Sequence, residues 1–266
     1  MQILISLFLF FSPYAVNAEV ANYQTAHQSY LSAQEEYSQQ HSEYLLAKSQ
    51  YNQAGTLAAE TKAREETAQM LSSRDKVLST YLETIKARLV ETNGLSDTTK
   101  NGLISRLDSE INWYQNHSDR VSSAGTLNDL VEDSEEARDH KDQTTTPLVY
   151  ENLVTIPVTK VSVLRRDASV IISDLKNFLN DVESAGNHDV SEADRWMIQI
   201  DGKITRSIDK EIDAQNQLQT LQNPDKKTNY SSIYDSGIQS ITESHQFIKE
   251  ANTFLGEVIR LIRTNN

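Results

Sequence analysis

The sequence predicts an all-α protein, an elongated antiparallel helical bundle or coiled coil built as two three-helix-like halves. Three observations predict it. Tyr23, Tyr30, Tyr37, Tyr44 and Tyr51 recur every seven residues, with Ala26, Ala33, Gln40, Ala47 and Ala54 three places after each. A seven-residue repeat holds one face of a helix in register with a partner over many turns. Only eight glycines and four prolines interrupt 266 residues, so helix formers run on for long stretches. Beyond the tyrosines, apolar residues recur at helical spacing between short cap signals.

Taken in order, Met1 to Ala18 has an apolar core from Ile3 to Phe11, then Ser12-Pro13 and Val16-Asn17-Ala18. That is the pattern of a signal peptide cleaved after Ala18, although its start carries no Lys or Arg. A retained anchor is the alternative, with an apolar run shorter than the roughly 20 residues a spanning helix needs. The expected location is therefore outside the membrane: periplasmic, cell-surface or secreted. With no cysteine, a disulfide framework is excluded and packing alone must hold the fold. A net charge of −13 leaves no basic stripe to replace phosphate counterions, which argues against nucleic acid.

Residues 19–143 form the N-terminal region. Its first helix is expected from Val20 towards Val90, with an interruption at Asn52 to Thr56, where Gly55 weakens a helix and Thr56 can cap a new one. Uninterrupted, it would be about 105 Å long and would either bridge both halves or project its N-terminal part towards a partner in another chain. Leu57, Met70, Leu71, Val77, Leu78, Tyr81, Leu82, Ile85 and Leu89 are apolar in a phase that does not continue the tyrosines. Glu60 to Gln69 reads as a solvated stretch, with a recognition surface as the alternative, and places Glu60/Arg64 and Lys62/Glu66 at pairing distance on a helix. Thr92-Asn93-Gly94 stops this helix, and Ser96 with Asp97 starts the next, which carries Leu103, Ile104, Leu107, Ile111 and Tyr114 or Trp113. Thr126 caps a further helix containing Leu127, Leu130 and Val131, whose remainder to Asp142 is densely charged. Residues 144–157, bounded by Pro147 and Pro157 and rich in β-branched side chains, read as an ordered connector or a short extended segment.

Residues 158–266 are expected to form a three-helix bundle. Val161, Leu164, Ala168, Ile171, Ile172, Leu175, Phe178, Leu179 and Val182 make a broad apolar face before Gly186-Asn187. Trp196, Met197, Ile200, Ile204, Ile208, Ile212, Leu218 and Leu221 follow, up to Asn223-Pro224. A last helix from about Ser231 carries Ile233, Tyr234, Ile238, Ile241, Phe247, Ile248, Phe254, Leu255, Val258, Ile259 and Leu261. Short turns make such consecutive helices antiparallel. The two halves echo each other. Leu95-Ser96-Asp97 with Leu107-Asp108-Ser109-Glu110-Ile111 parallels Val190-Ser191-Glu192 with Ile200-Asp201-Gly202-Lys203-Ile204, and Ala54-Gly55-Thr56-Leu57 parallels Ala124-Gly125-Thr126-Leu127.

The run Leu-Ser-Asp-x-x-Lys from Leu95, then Leu-Asp-Ser-Glu-Ile-Asn-Trp-Tyr from Leu107 and Ala-Gly-Thr-Leu-Asn-Asp-Leu from Ala124, resembles the helical repeat of exported proteins from small-celled candidate-phylum bacteria. The resemblance covers residues 95–130. It implies a helical fold outside the membrane and brings no catalytic residues with it.

No constellation for chemistry emerges. Of six histidines, only His27 and His41 share a helix face, two heptads or roughly 21 Å apart, too far for one metal. Glu136 and His140 are spaced i,i+4 without a third ligand, which reads as a solvated pair. The acids Glu132, Asp133, Glu135, Glu136, Asp139 and Asp142 lack the loop and central glycine of a calcium site. Nucleophile-elbow, phosphate-loop and HExxH motifs are absent. The expectation is thus a non-catalytic scaffold without cofactor or metal. The alternative is an adhesion or protein-binding module whose interface is Tyr23, Tyr30, Tyr37, Tyr44 and Tyr51, facing another copy of the chain or another envelope or surface protein. Membrane contact is expected only through a retained signal segment.

Overall fold

In the computed structural model, the backbone is described for residues 16–185, 190–223 and 228–264, and side chains for 22–185, 190–223 and 228–263. The apolar core of the expected signal peptide lies outside the described residues, as do Gly186-Asn187 and Pro224. Among the described residues seven α-helices follow in order: α1 (Val16–Ala54), α2 (Leu57–Val90), α3 (Asp97–Ser122), α4 (Leu127–His140), α5 (Thr146–Ser184), α6 (Ser191–Gln222) and α7 (Tyr230–Thr264), with a π-helical turn at Lys141–Thr145 between α4 and α5. No strand occurs among the described residues, so the chain is an all-α helical bundle. No described helix is long and apolar enough to cross a membrane.

The chain divides into two compact units. The first comprises residues up to Glu91 together with Asp97–Leu148, and the second comprises Thr92–Ser96 with the chain from Val149 onward.

In the first unit the interruption at Asn52 to Thr56 is a full reversal, and α1 and α2 form a hairpin in place of one helix of about 105 Å. Gly55 takes φ +57°, a conformation glycine enters without the Cβ penalty. The Thr56 side chain accepts a bond from the Ala59 amide at 3.3 Å and opens α2. An added Cβ at Gly55 would meet nothing within 4 Å, so only the backbone conformation requires glycine there. With the chain reversed, α1 lies antiparallel along α2. Glu36 pairs with Lys76 at 2.6 Å, Tyr30 meets Tyr81 with ring centroids 5.3 Å apart, and the Tyr23 amide donates to Glu91 at 3.2 Å. The change of apolar phase after Tyr51 is this reversal. The partner of α1 is the next helix in the chain.

α3 runs antiparallel to α2, its register marked by Lys86–Asp108 at 2.5 Å and by Asp75–His117. Leu82, Leu89, Leu103, Leu107, Ile85 and Ile111 are buried. α4 begins with a full capping box, in which Thr126 accepts from the Asp129 amide and Asp129 accepts from the Thr126 amide. Such reciprocal bonds satisfy two otherwise orphaned donors. Leu127 and Leu130 enter a cluster with Met70, Leu71, Val121, Tyr37 and Tyr44. Val131, next to Leu130, is 56% exposed. The stretch from Glu60 to Gln69 is less solvated than its composition implies: Ala63 and Glu66 are buried, and Glu66 is paired with Lys62. Arg64 turns away from Glu60 and donates to the Gly125 carbonyl at 2.7 Å, tying the start of α2 to the α3–α4 turn.

The expected connector at 144–157 is helical. The π-turn and the first turns of α5 occupy it, with the Thr146 amide bonded to the Lys141 carbonyl. Proline lacks an amide hydrogen and crowds the carbonyl four residues back. Pro147 falls in the first turn of α5, where the wider π-turn has already shifted the bonding pattern. Pro157 lies inside α5, where Thr155 and Thr159 donate their hydroxyls to the carbonyls of Glu151 and Thr155 at 2.7 and 2.8 Å. Val154, Ile156, Val158 and Val161 are buried. Burial of these β-branched residues outweighs their modest helix propensity.

In the second unit α5 and α6 are antiparallel, with Lys176 on Asp201 and Arg165 on Glu211, both at 2.7 Å. α6 and α7 are antiparallel through Lys203–Glu250 and Lys210–Glu243. One apolar cluster holds Ile172, Leu179, Met197, Ile200, Leu255 and Val258, and a second holds Val154, Val158, Val161, Ala214, Leu221, Ile241 and Ile248. A buried Ser207–Ser244 hydroxyl pair at 2.9 Å adds a polar contact between α6 and α7. Gly94, at φ +99°, faces α5, and a Cβ there would overlap the Val163 side chain. Its site therefore demands glycine twice, for conformation and for space.

Candidate functional site

The five tyrosines lie along the α1–α2 hairpin, and all five are half-buried. Ala33 and Ala47, in the alternate heptad position, are 1% and 2% exposed, because a methyl group lets the α2 backbone come close while the larger rings cover the edges of the contact. Tyr37 and Tyr44 pack on the Met70–Leu71 cluster. The Arg88 guanidinium lies 3.7 Å from the Tyr23 ring centroid, a cation–π contact. His27 stacks between Tyr23 and Tyr30, and His41 lies between Tyr37 and Tyr44, with centroid distances of 5.7–6.2 Å. The histidines that share a face thus complete an aromatic ladder. The Tyr30 hydroxyl accepts from Gln34 and that of Tyr44 from Lys48, at 2.7 and 3.1 Å.

Beside the hairpin, a groove of about 790 Å³ runs along α2 between α1 and α3. Glu36, Glu65, Glu83 and Asp119 line it with Ser72, Thr80 and Ser118, and its floor reaches Asp75 and Tyr114.

The densest concentration of buried polar groups lies under that floor. Asp75 is 1% exposed and His117 is 2% exposed. The Asp75 Oδ2 atom is 2.5 Å from His117 Nδ1, and Arg74 approaches Oδ1 at 3.3 Å. His117 Nε2 lies 3.0 Å from the Asp133 carbonyl. A carbonyl only accepts, so Nε2 carries a hydrogen and one proton is shared between Nδ1 and Asp75. Trp113 is stacked between two imidazoles, His117 at 5.0 Å and His140 at 3.7 Å between centroids.

His140 does not pair with Glu136. Its Nε2 meets Glu110 at 2.9 Å, and Glu136 is taken by Arg120 at 2.7 Å. Thr145, carried inward by the π-turn, donates to the same Glu110 oxygen at 2.8 Å. Its hydroxyl hydrogen is then spent, so the Tyr114 hydroxyl, 2.8 Å away, is the donor to Thr145. Glu110 therefore receives two donors, which suits a carboxylate.

The Tyr114 phenol is raised to about 12, chiefly by burial and also by the negative charges of Glu110 and Asp75. A phenol whose folded value exceeds its unfolded value of about 10 keeps its proton longer in the native state, so its contribution to stability is lost as pH rises from about 10 to 12. Unfolding titrations across that range are expected to show a loss of about 2–3 kcal/mol in the native protein beyond that in Tyr114→Phe. Equal slopes in the two proteins would remove the assignment.

The acidic run of α4 is partly engaged, since Arg120 binds Asp133 and Glu136. Among the described residues no three His, Cys, Asp or Glu side chains form a group that could hold a metal. Sequence reasoning missed the network of Asp75, Glu110, His117 and His140, whose members come from α2, α3 and α4. The one local trace was the i,i+4 spacing of Trp113 and His117. No family model, curated protein or solved structure matches the chain.

Proposed function

We propose that the chain is a non-catalytic, exported helical scaffold of the cell envelope or surface, in which the tyrosine stripe serves as internal architecture. The observation that carries this reading is the placement of all five rings half-buried along the α1–α2 hairpin, with Ala33 and Ala47 sealed between the helices. A stripe spent on an intramolecular partner supports shape. Export rests on the signal-like pattern of residues 1–18, and the resemblance over residues 95–130 points the same way.

A specific observation favours adhesion or protein binding as the second reading. Each tyrosine keeps an exposed edge, and Leu31, Leu45 and Leu46 on the same helix are 42%, 49% and 61% exposed. Aromatic edges with nearby aliphatic groups offer contact area at low entropy cost.

Light scattering with small-angle X-ray scattering on Glu19–Asn266 separates the two, comparing native protein with a Tyr30→Ser, Tyr37→Ser, Tyr44→Ser variant. The scaffold reading expects a native monomer and a variant that melts earlier while staying monomeric. A native dimer that becomes a well-folded monomer in the variant would overturn it in favour of the interface.

A further inference from the structure

We propose that the C-terminal half of α4 is a proton-held latch on the α2–α3 pair, closed while His117 and Asp75 share a proton and released as pH rises. The helix is unevenly anchored. Its N-terminal half inserts Leu127 and Leu130 into the Met70–Leu71–Val121 cluster. From Asp133 to His140 only Ala137 is buried, and apart from the His140 ring stacked on Trp113 the remaining attachments are polar. They comprise the Asp133 carbonyl on His117, Ser134 on Arg74 at 3.2 Å, Asp133 and Glu136 on Arg120, and His140 on Glu110. A segment with few apolar contacts opens at a lower free energy than the core beneath it.

The proton dependence follows from hydrogen-bond inventory. His117 Nε2–H is committed to α4, leaving Nδ1 facing Asp75 at 2.5 Å. With the shared proton present, this is a bond. Without it, the neutral imidazole has one N–H for two acceptors; held on Nδ1 by Asp75, it leaves a lone pair on Nε2 facing the Asp133 carbonyl, and the bond to α4 is lost. In the open form water reaches both groups and the proton is no longer required. The closed state therefore binds one proton more than the open one, and the opening constant rises by up to about tenfold per pH unit over the range in which the open form has released that proton and the closed form still holds it.

The charged and titratable groups around this pair are Arg74 from α2, Arg120 from α3 and the Asp133 carboxylate from α4. At the far end, Glu110 and Tyr114 from α3 face His140. The Glu110 contact needs only Nε2–H, which a neutral imidazole supplies, so it adds no proton to the count. Release separates His140 from the Trp113 ring while leaving His117 beside it on the same helix.

Hydrogen-exchange protection factors for residues 133–145 of the full chain, corrected for intrinsic exchange, test the latch between pH 5 and 9. The native protein is expected to lose protection there with rising pH while residues 103–117 of α3 stay protected. Asp75→Asn is the informative variant, because its amide can donate to Nδ1 without a shared proton. It should hold α4 with little pH dependence, and His117→Gln should likewise abolish the slope. A pH-independent native profile, an unchanged slope in Asp75→Asn, or parallel loss of protection in α3 would each overturn the proposal.

Discussion

Asp75→Ala is expected to lower the unfolding free energy of the first unit by about 3–5 kcal/mol, the range for stripping one partner from a buried charged pair. The side chain it removes is 1% exposed and joins Arg74 to His117. Its loss leaves the His117 Nδ1 atom facing a cavity in a site closed to solvent, and the desolvation cost already incurred by the imidazole is no longer offset. Asp75→Asn should cost less, since an amide fills the space and can still bond the ring. Urea unfolding followed by Trp113 emission in a Trp196→Phe background reads this unit. A change under about 1 kcal/mol for Asp75→Ala would mean that water replaces the carboxylate.

A comparable effect is expected at the other end of the chain. Ile200→Ala should cost the second unit about 2–5 kcal/mol, combining lost transfer energy with the cavity left behind. Ile200 is 0% exposed and sits among Ile172, Leu179, Met197, Leu255 and Val258. Its near neighbour Ile198 is 67% exposed, so Ile198→Ala should stay within about 0.5 kcal/mol. Two isoleucines two positions apart on one helix thus provide an internal control, read by the loss of helical circular dichroism on heating. Similar costs at both positions would show that the exposed face of α6 is covered in solution.

The helices were legible wherever signals are local. Thr56 and Thr126 cap because a hydroxyl three residues before an amide satisfies it without help from the rest of the fold. The α3, α6 and α7 apolar faces follow from spacing alone. The connector was misread for an equally local reason: Pro147 and Pro157 are strong breakers on paper, and a π-turn upstream with buried packing alongside keeps the backbone helical through both. The tyrosine stripe was visible as a packing face, but its partner was not, since Gly55 permits either a bend or a full reversal.

The all-α class, the caps and the heptad face are set by interactions within a few residues and are readable one stretch at a time. The folding of α1 back on α2, and the meeting of Asp75, Glu110, His117 and His140 around Trp113, depend instead on contacts between distant segments. Those residues lie as much as 65 positions apart, and no spacing rule links them. Their meeting depends on the antiparallel register of three helices and on the π-turn that carries Thr145 inward. Register is fixed by the summed packing of whole faces, a quantity that no single stretch of sequence contains.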